Sequence, residues 1–126
     1  MIKKNDLKGS KMWQLATKIA EQVRETVKTV PYDEHYNLAF PAIQSASTLT
    51  SDVAYALGKE ADTVSYDFNV ARGHLYTVKS LLLQAQKYGY VQTMDNLLAD
   101  MNELQLWLDQ RADELKDKDE MESKNE

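Results

Sequence analysis

The sequence holds no cysteine, two prolines and four glycines among its 126 residues. Without cysteine there is no disulfide, no thiolate metal ligand and no cysteine nucleophile. So little proline and glycine, beside abundant Leu, Ala, Lys, Glu and Gln, leaves helices uninterrupted and marks an all-α chain. Long apolar runs are also lacking. The longest uncharged stretch, residues 35–51, is broken by Asn37, Pro41, Gln44 and several Ser and Thr, and cannot span a bilayer. The opening MIKKNDLKGSK has lysines with no apolar segment behind them, so no secretory signal is expected. The expectation is a soluble, cytoplasmic protein without a membrane partner. Positive charge is in deficit as well: 15 Lys and Arg face 20 Asp and Glu, for a net charge of −5. Phosphate contacts need a concentrated positive surface, so this balance argues against broad nucleic-acid binding.

What the chain does contain is periodicity. Val64, Phe68, Ala71, Leu75, Val78, Leu82 and Ala85 recur at steps of four and three, one apolar stripe on a long helix that needs partners. Gly89 suits the left-handed position that closes such a helix, with Tyr90 and Val91 after it. Three further stripes supply the partners. Met12, Ala16, Ile19, Val23, Val27 and Val30 trace the first, with Ser10 as N-cap and Pro31 as the stop. Ala42, Ala46, Leu49, Val53 and Ala56 trace the second, with Asp33 as its expected cap and Gly58 as its expected end. Pro41 lies inside that pattern and predicts a kink or a short lead-in helix. Met94, Leu97, Met101, Leu104, Leu108, Ala112 and Leu115 trace the fourth, with Thr93 as its expected cap.

These stripes predict one domain, an antiparallel up-down-up-down four-helix bundle over residues 10–115, with helices at about 10–30, 34–57, 62–88 and 93–115. A basic arm, residues 1–9, precedes it. The charged segment 116–126 follows as a frayed helical end or a disordered tail.

Candidate chemistry is sparse. Di-iron bundles use Glu-x-x-His pairs, but Tyr32 and Ala71 stand three residues before His35 and His74. Asp33, Glu34 and His35 are adjacent and do not converge on a helix, so caps and surface roles are expected of them. No phosphate loop, nucleophile elbow or zinc-binding helix motif occurs, and nothing selects one carboxylate pair among twenty acids. No enzyme, cofactor or metal site is expected.

Two sets of surface residues remain. Tyr36, Tyr55, Tyr66, Tyr76, Tyr88 and Tyr90 fall mostly off the stripes, either as half-buried rings at the bundle edge or as a subunit interface. His74, beside Gly73, reads as a packing or interface residue. The candidate nucleic-acid contacts are Lys3, Lys4 and Lys8 on the arm with Lys18, Arg24, Arg72, Lys79 and Lys87, interleaved with acids such as Glu21, Glu25 and Asp67. The hydroxyl run Ser45, Ser47, Thr48, Thr50 and Ser51 is unusual in a helix and would let a neighbouring helix approach closely.

The order of motifs over residues 12–115 resembles the small four-helix-bundle proteins encoded in 23S rRNA intervening sequences, and the related accessory variability proteins of diversity-generating retroelements. Pro31, Glu34 and Tyr36-Asn37-Leu38 resemble the family's Pro-x-x-Glu and Tyr-Gly-Leu. Ala71-Arg72-Gly73-His74-Leu75 resembles Ala-Arg-Gly-Ser-Leu, and Gly89-Tyr90-Val91 resembles Gly-Tyr-Ile. Gln44-Ser45 stands where the family carries an Arg-rich step, and Thr77 where it carries a Glu. The resemblance implies a homo-oligomer, typically a five-membered ring, without known catalysis. In the retroelement relatives such a protein associates with a reverse transcriptase and its template RNA. Direct RNA or DNA binding, and a pure protein–protein interaction bundle, are the alternatives it leaves.

Overall fold

The computed structural model describes residues 7–59 and 62–124, and among them there is no strand. Four long helices carry the fold: α1, Lys11–Thr26; α2, Phe40–Lys59; α3, Ser65–Lys87; and α4, Asp95–Lys124. α1 and α3 each pack against both α2 and α4. The four stripes meet in one core, where Ile19, Leu49, Leu75, Leu82, Leu104 and Leu108 are almost wholly buried. Among the described residues, no buried side-chain polar atom lacks a hydrogen-bond partner.

Local chemistry sets the helix ends. The Ser10 hydroxyl accepts the Trp13 amide at 3.2 Å, satisfying a donor that the first turn of α1 leaves free. α1 tightens into a 3-10 turn, Val27–Thr29, and then Val30 turns extended, as a residue before proline must. α3 closes on Gly89, whose φ is +81°. There the Tyr90 amide reaches back to the Ala85 carbonyl at 2.9 Å and the Gly89 amide to Gln86 at 3.0 Å, the paired bonds of a Schellman cap.

Five local expectations are corrected. Asp33 does not cap the second helix. The chain enters α2 through a 3-10 turn, Tyr32–Glu34, and a π-turn, His35–Ala39, neither with a side-chain cap. Pro41 explains the widened turn, because it has no amide to offer the Asn37 carbonyl and its ring crowds that oxygen. Gly58 does not end α2, which runs to Lys59; the Thr63 hydroxyl donates to the Ala56 carbonyl at 2.7 Å and satisfies the helix end in its place. Val64, first in the central stripe, lies before the helix in extended conformation and is exposed. Thr93 stands outside α4, whose first amide bond runs from Leu98 to the Met94 carbonyl, with Asp95 adding negative charge to the first turn. Finally, α4 continues well past its last buried residue, Leu115, to Lys124. Opposite charges four residues apart, such as Lys116 and Glu120, favour that continuation without any core behind them.

Candidate functional site

The outer surface is divided by charge. α1 exposes Lys11, Gln14, Lys18, Glu21, Arg24 and Glu25, of which five are charged. α4 is similarly dense, with Asp95, Glu103, Arg111, Asp113 and Glu114 among its exposed positions. The exposed ridge of α2 is Phe40, Gln44, Ser47, Ser51, Tyr55 and Gly58, and none of these is charged. On α3 the exposed residues are Tyr66, Asn69, Gly73, Tyr76, Thr77, Ser80, Leu83, Gln84 and Lys87, with a single charge at the far end. Charge depletion with aromatic enrichment is the compositional mark of an interface core.

Part of the hydroxyl run of α2 is satisfied within the helix. The Thr48, Thr50 and Ser51 hydroxyls donate to carbonyls one turn back in α2, at 3.0, 2.9 and 3.3 Å. Polar groups bordering this face are paired. His74 Nδ1–H donates to Asp52 at 2.5 Å, joining α3 to α2. Lys59 Nζ meets the Asp67 carboxylate at 3.0 Å, and the same carboxylate oxygen accepts the Val64 amide at the start of α3. Burial pushes the Asp67 carboxyl up, but the bonds from Val64 and Lys59 outweigh it and hold it below its ordinary value. The bond to Asp67 raises the Lys59 ammonium above its own ordinary value, against a smaller loss from desolvation. Beside these pairs, Tyr55, Val64, Tyr66 and Val70 line a groove of about 490 Å³.

The sequence-predicted interface residues fall in three places. Tyr55 and Tyr66, 62% and 72% exposed, share the α2–α3 groove with the half-buried His74 close by. Tyr76 lies on the α4 side of α3, where its hydroxyl accepts from Gln105 at 2.7 Å. Tyr88 lies tilted against the half-buried Tyr90 at the end of α3, with ring centroids 5.9 Å apart. Tyr36 belongs elsewhere, to a cluster of rings leading into α2. Sequence reasoning missed Tyr32 and Phe40 in that cluster, and the uncharged ridge as a whole. The signal for both was present: Tyr32, His35, Tyr36 and Phe40 are spaced by three, one and four, and residues 40–58 contain one charged residue, Asp52.

Three of the predicted basic contacts have partners within the chain. Lys18 pairs with Asp100 at 3.1 Å, Arg72 with Asp109 at 2.9 Å, and Lys79 bonds the Asn102 side chain at 2.8 Å. Arg72 is held further above its ordinary value, first by the Asp109 hydrogen bond. Asp100 is raised by burial but lowered more by Gln22 and Lys18, so its net direction is down. Lys8, Arg24 and Lys87 are exposed on separate elements. Lys3 and Lys4 lie outside the described residues. Among the described residues no group of three or more His, Asp or Glu is placed to hold a metal ion. His35 Nε2–H is committed to the Val30 carbonyl at 3.0 Å. Among those residues, too, no helix is long and apolar enough to cross a membrane.

No protein-family model, curated protein or solved structure matches the chain.

Proposed function

We propose that the protein is a non-enzymatic helical scaffold that assembles with copies of itself through the outer face of α2 and α3. The observation that carries this reading is the uncharged ridge from Phe40 to Gly58, opposite a densely charged α1 and α4. A solvated helix in an acidic chain has no physical reason to exclude charge from six successive exposed positions. A helix that buries them against a neighbour does, since every unpaired charge taken from water is costly.

Within each copy the helices run antiparallel in up-down-up-down order. Support comes from Arg72–Asp109, Tyr76–Gln105 and Lys79–Asn102: as the α3 number rises, the α4 number falls. His74–Asp52 and Asp67–Lys59 behave the same way between α3 and α2. The resemblance to intervening-sequence bundles and retroelement accessory proteins points in the same direction. By that likeness the assembly is a five-membered ring that holds a reverse transcriptase and its RNA. Direct nucleic-acid binding is the weaker reading, because Lys18, Arg72 and Lys79 already have partners within the chain.

Sedimentation equilibrium at micromolar concentration tests the assembly. The expected result is a species several times heavier than the 14.4 kDa chain. Ser51→Arg, placing a charge mid-ridge, should reduce it to monomer, while Lys18→Glu on the charged face should not. A wild-type monomer would end the proposal.

A further inference from the structure

The turn that leads into α2 carries four aromatic rings in mutual contact. Tyr32 and His35 lie 5.4 Å apart, His35 and Phe40 5.5 Å, and Tyr36 and Phe40 5.5 Å, tilted or edge-on. Tyr32 and Tyr36 are each 81% exposed, the most open large hydrophobic side chains among the described residues, and Phe40 is 49% exposed. One ring of the cluster is tied down. His35 is tied through Nε2–H to the Val30 carbonyl, and the backbone beneath is held in the π-turn that Pro41 enforces.

Two carboxylates sit within the same turn. Neither Asp33 nor Glu34 has an ion-pair partner among the described residues. Two of the other exposed tyrosines have a cation of their own, Lys59 Nζ at 5.2 Å from the Tyr55 ring and Lys79 Nζ at 6.0 Å from Tyr76, and Tyr66 and Tyr88 have none among the described residues. Tyr32 and Tyr36 have none among those residues.

The geometry points to a docking site for an arginine-bearing cationic peptide on this ring cluster. Ring faces carry negative quadrupole charge and attract a cation laid over them, and a planar guanidinium also stacks on them. Two open tyrosines beside two unpaired carboxylates supply both the stacking surface and the countercharge. A nucleic-acid base would stack equally well, but its phosphates would meet Asp33 and Glu34. Tyr32, His35 and Tyr36 lie before the ridge of α2, with which the cluster shares only Phe40, so peptide binding by the monomeric Ser51→Arg variant separates this site from self-assembly.

Fluorescence anisotropy of a labelled Gly-Arg repeat octapeptide against the full chain tests it, with a labelled oligothymidylate as the competing probe. The peptide should bind. The double variant Tyr32→Ala, Tyr36→Ala should weaken binding about tenfold, equivalent to about 1.4 kcal/mol, through loss of cation–ring attraction. Tyr32→Leu with Tyr36→Leu, which keeps apolar bulk without the π-face, should lose as much. Asp33→Asn with Glu34→Gln should weaken binding and flatten its salt dependence. Glu103→Gln with Asp113→Asn, on exposed α4, should leave it unchanged. The inference is overturned if the leucine pair binds like wild type, if the α4 pair loses as much as the tyrosine pair, if oligothymidylate binds instead, or if no peptide binding is seen.

Discussion

Gly89 and Gly73 look alike in the sequence, yet the same replacement should act on them with opposite sign. Neither has an atom within 4 Å of the position a Cβ would take, so sterics do not decide. Backbone conformation does. Gly89 sits at φ +81°, where an L side chain is strained, and Gly89→Ala should cost about 1 kcal/mol. Gly73 lies within α3, where alanine loses less conformational freedom on folding, and Gly73→Ala should stabilise by up to about 1 kcal/mol. Urea midpoints measure both, and a shared sign would contradict the cap geometry. Asp67 makes a second residue-scale test. Its two bonds fasten the start of α3, so Asp67→Ala should cost about 1–2 kcal/mol at neutral pH. Because the folded carboxyl lies below its unfolded value, its contribution is complete above the ordinary aspartate value. It is lost as pH falls through the folded one. Asp100 adds a loss of the same sign. Wild type should therefore weaken in acid, and its advantage over Asp67→Ala should shrink there; an unchanged gap would remove the ionic account.

At the scale of the helix, step spacing was enough to name the core. Every residue of the fourth stripe from Met94 to Leu115 is buried, as is every α3 member from Phe68 to Ala85. Periodicity reports which side of a rod is apolar, and burial follows once partners exist. Helix ends were less legible because they depend on single bonds made across turns. Gly58 and Gly89 both follow an apolar stripe, but the Thr63 hydroxyl serves the Ala56 carbonyl and lets α2 pass through Gly58. Asp33 has the right chemistry for a cap, and Pro41 eight residues later reshapes the turn so that no amide reaches it. The candidate face was hidden for a different reason. Its signature is missing charge, which emerges only when exposed positions are separated from buried ones and the bordering polar groups are seen to be paired. The register of the stripes has a direct test. Leu75→Ala and Leu104→Ala, both fully buried, should each cost about 2–5 kcal/mol, whereas Leu83→Ala and Leu106→Ala should stay within about 0.5 kcal/mol. Equal losses at all four would contradict that register. The comparison belongs in the monomeric Ser51→Arg background.

For the whole molecule, the division of charge makes salt the variable that separates the rival readings. Each copy carries a net charge of −5, and the exposed charges lie mostly on α1 and α4, away from the face proposed for contact. Copies therefore repel one another at long range, and that repulsion is screened within about 10 Å at 0.1 M salt. The ridge itself offers no ion pair to be screened. Adding salt should thus hold the assembly constant or tighten it, since screening removes a cost and apolar burial is untouched. Contact with RNA through Lys18, Arg24, Arg72 and Lys79 behaves oppositely. Each phosphate neutralised releases counterions, so affinity falls steeply as salt rises, and Lys18 and Arg72 would first have to leave Asp100 and Asp109. Sedimentation of the protein alone across a salt series reads the first effect, and the same series with a structured RNA reads the second. An assembly that dissolves at moderate salt would place ion pairs between the copies. That would move the contact from the α2–α3 ridge to the charged faces of α1 and α4.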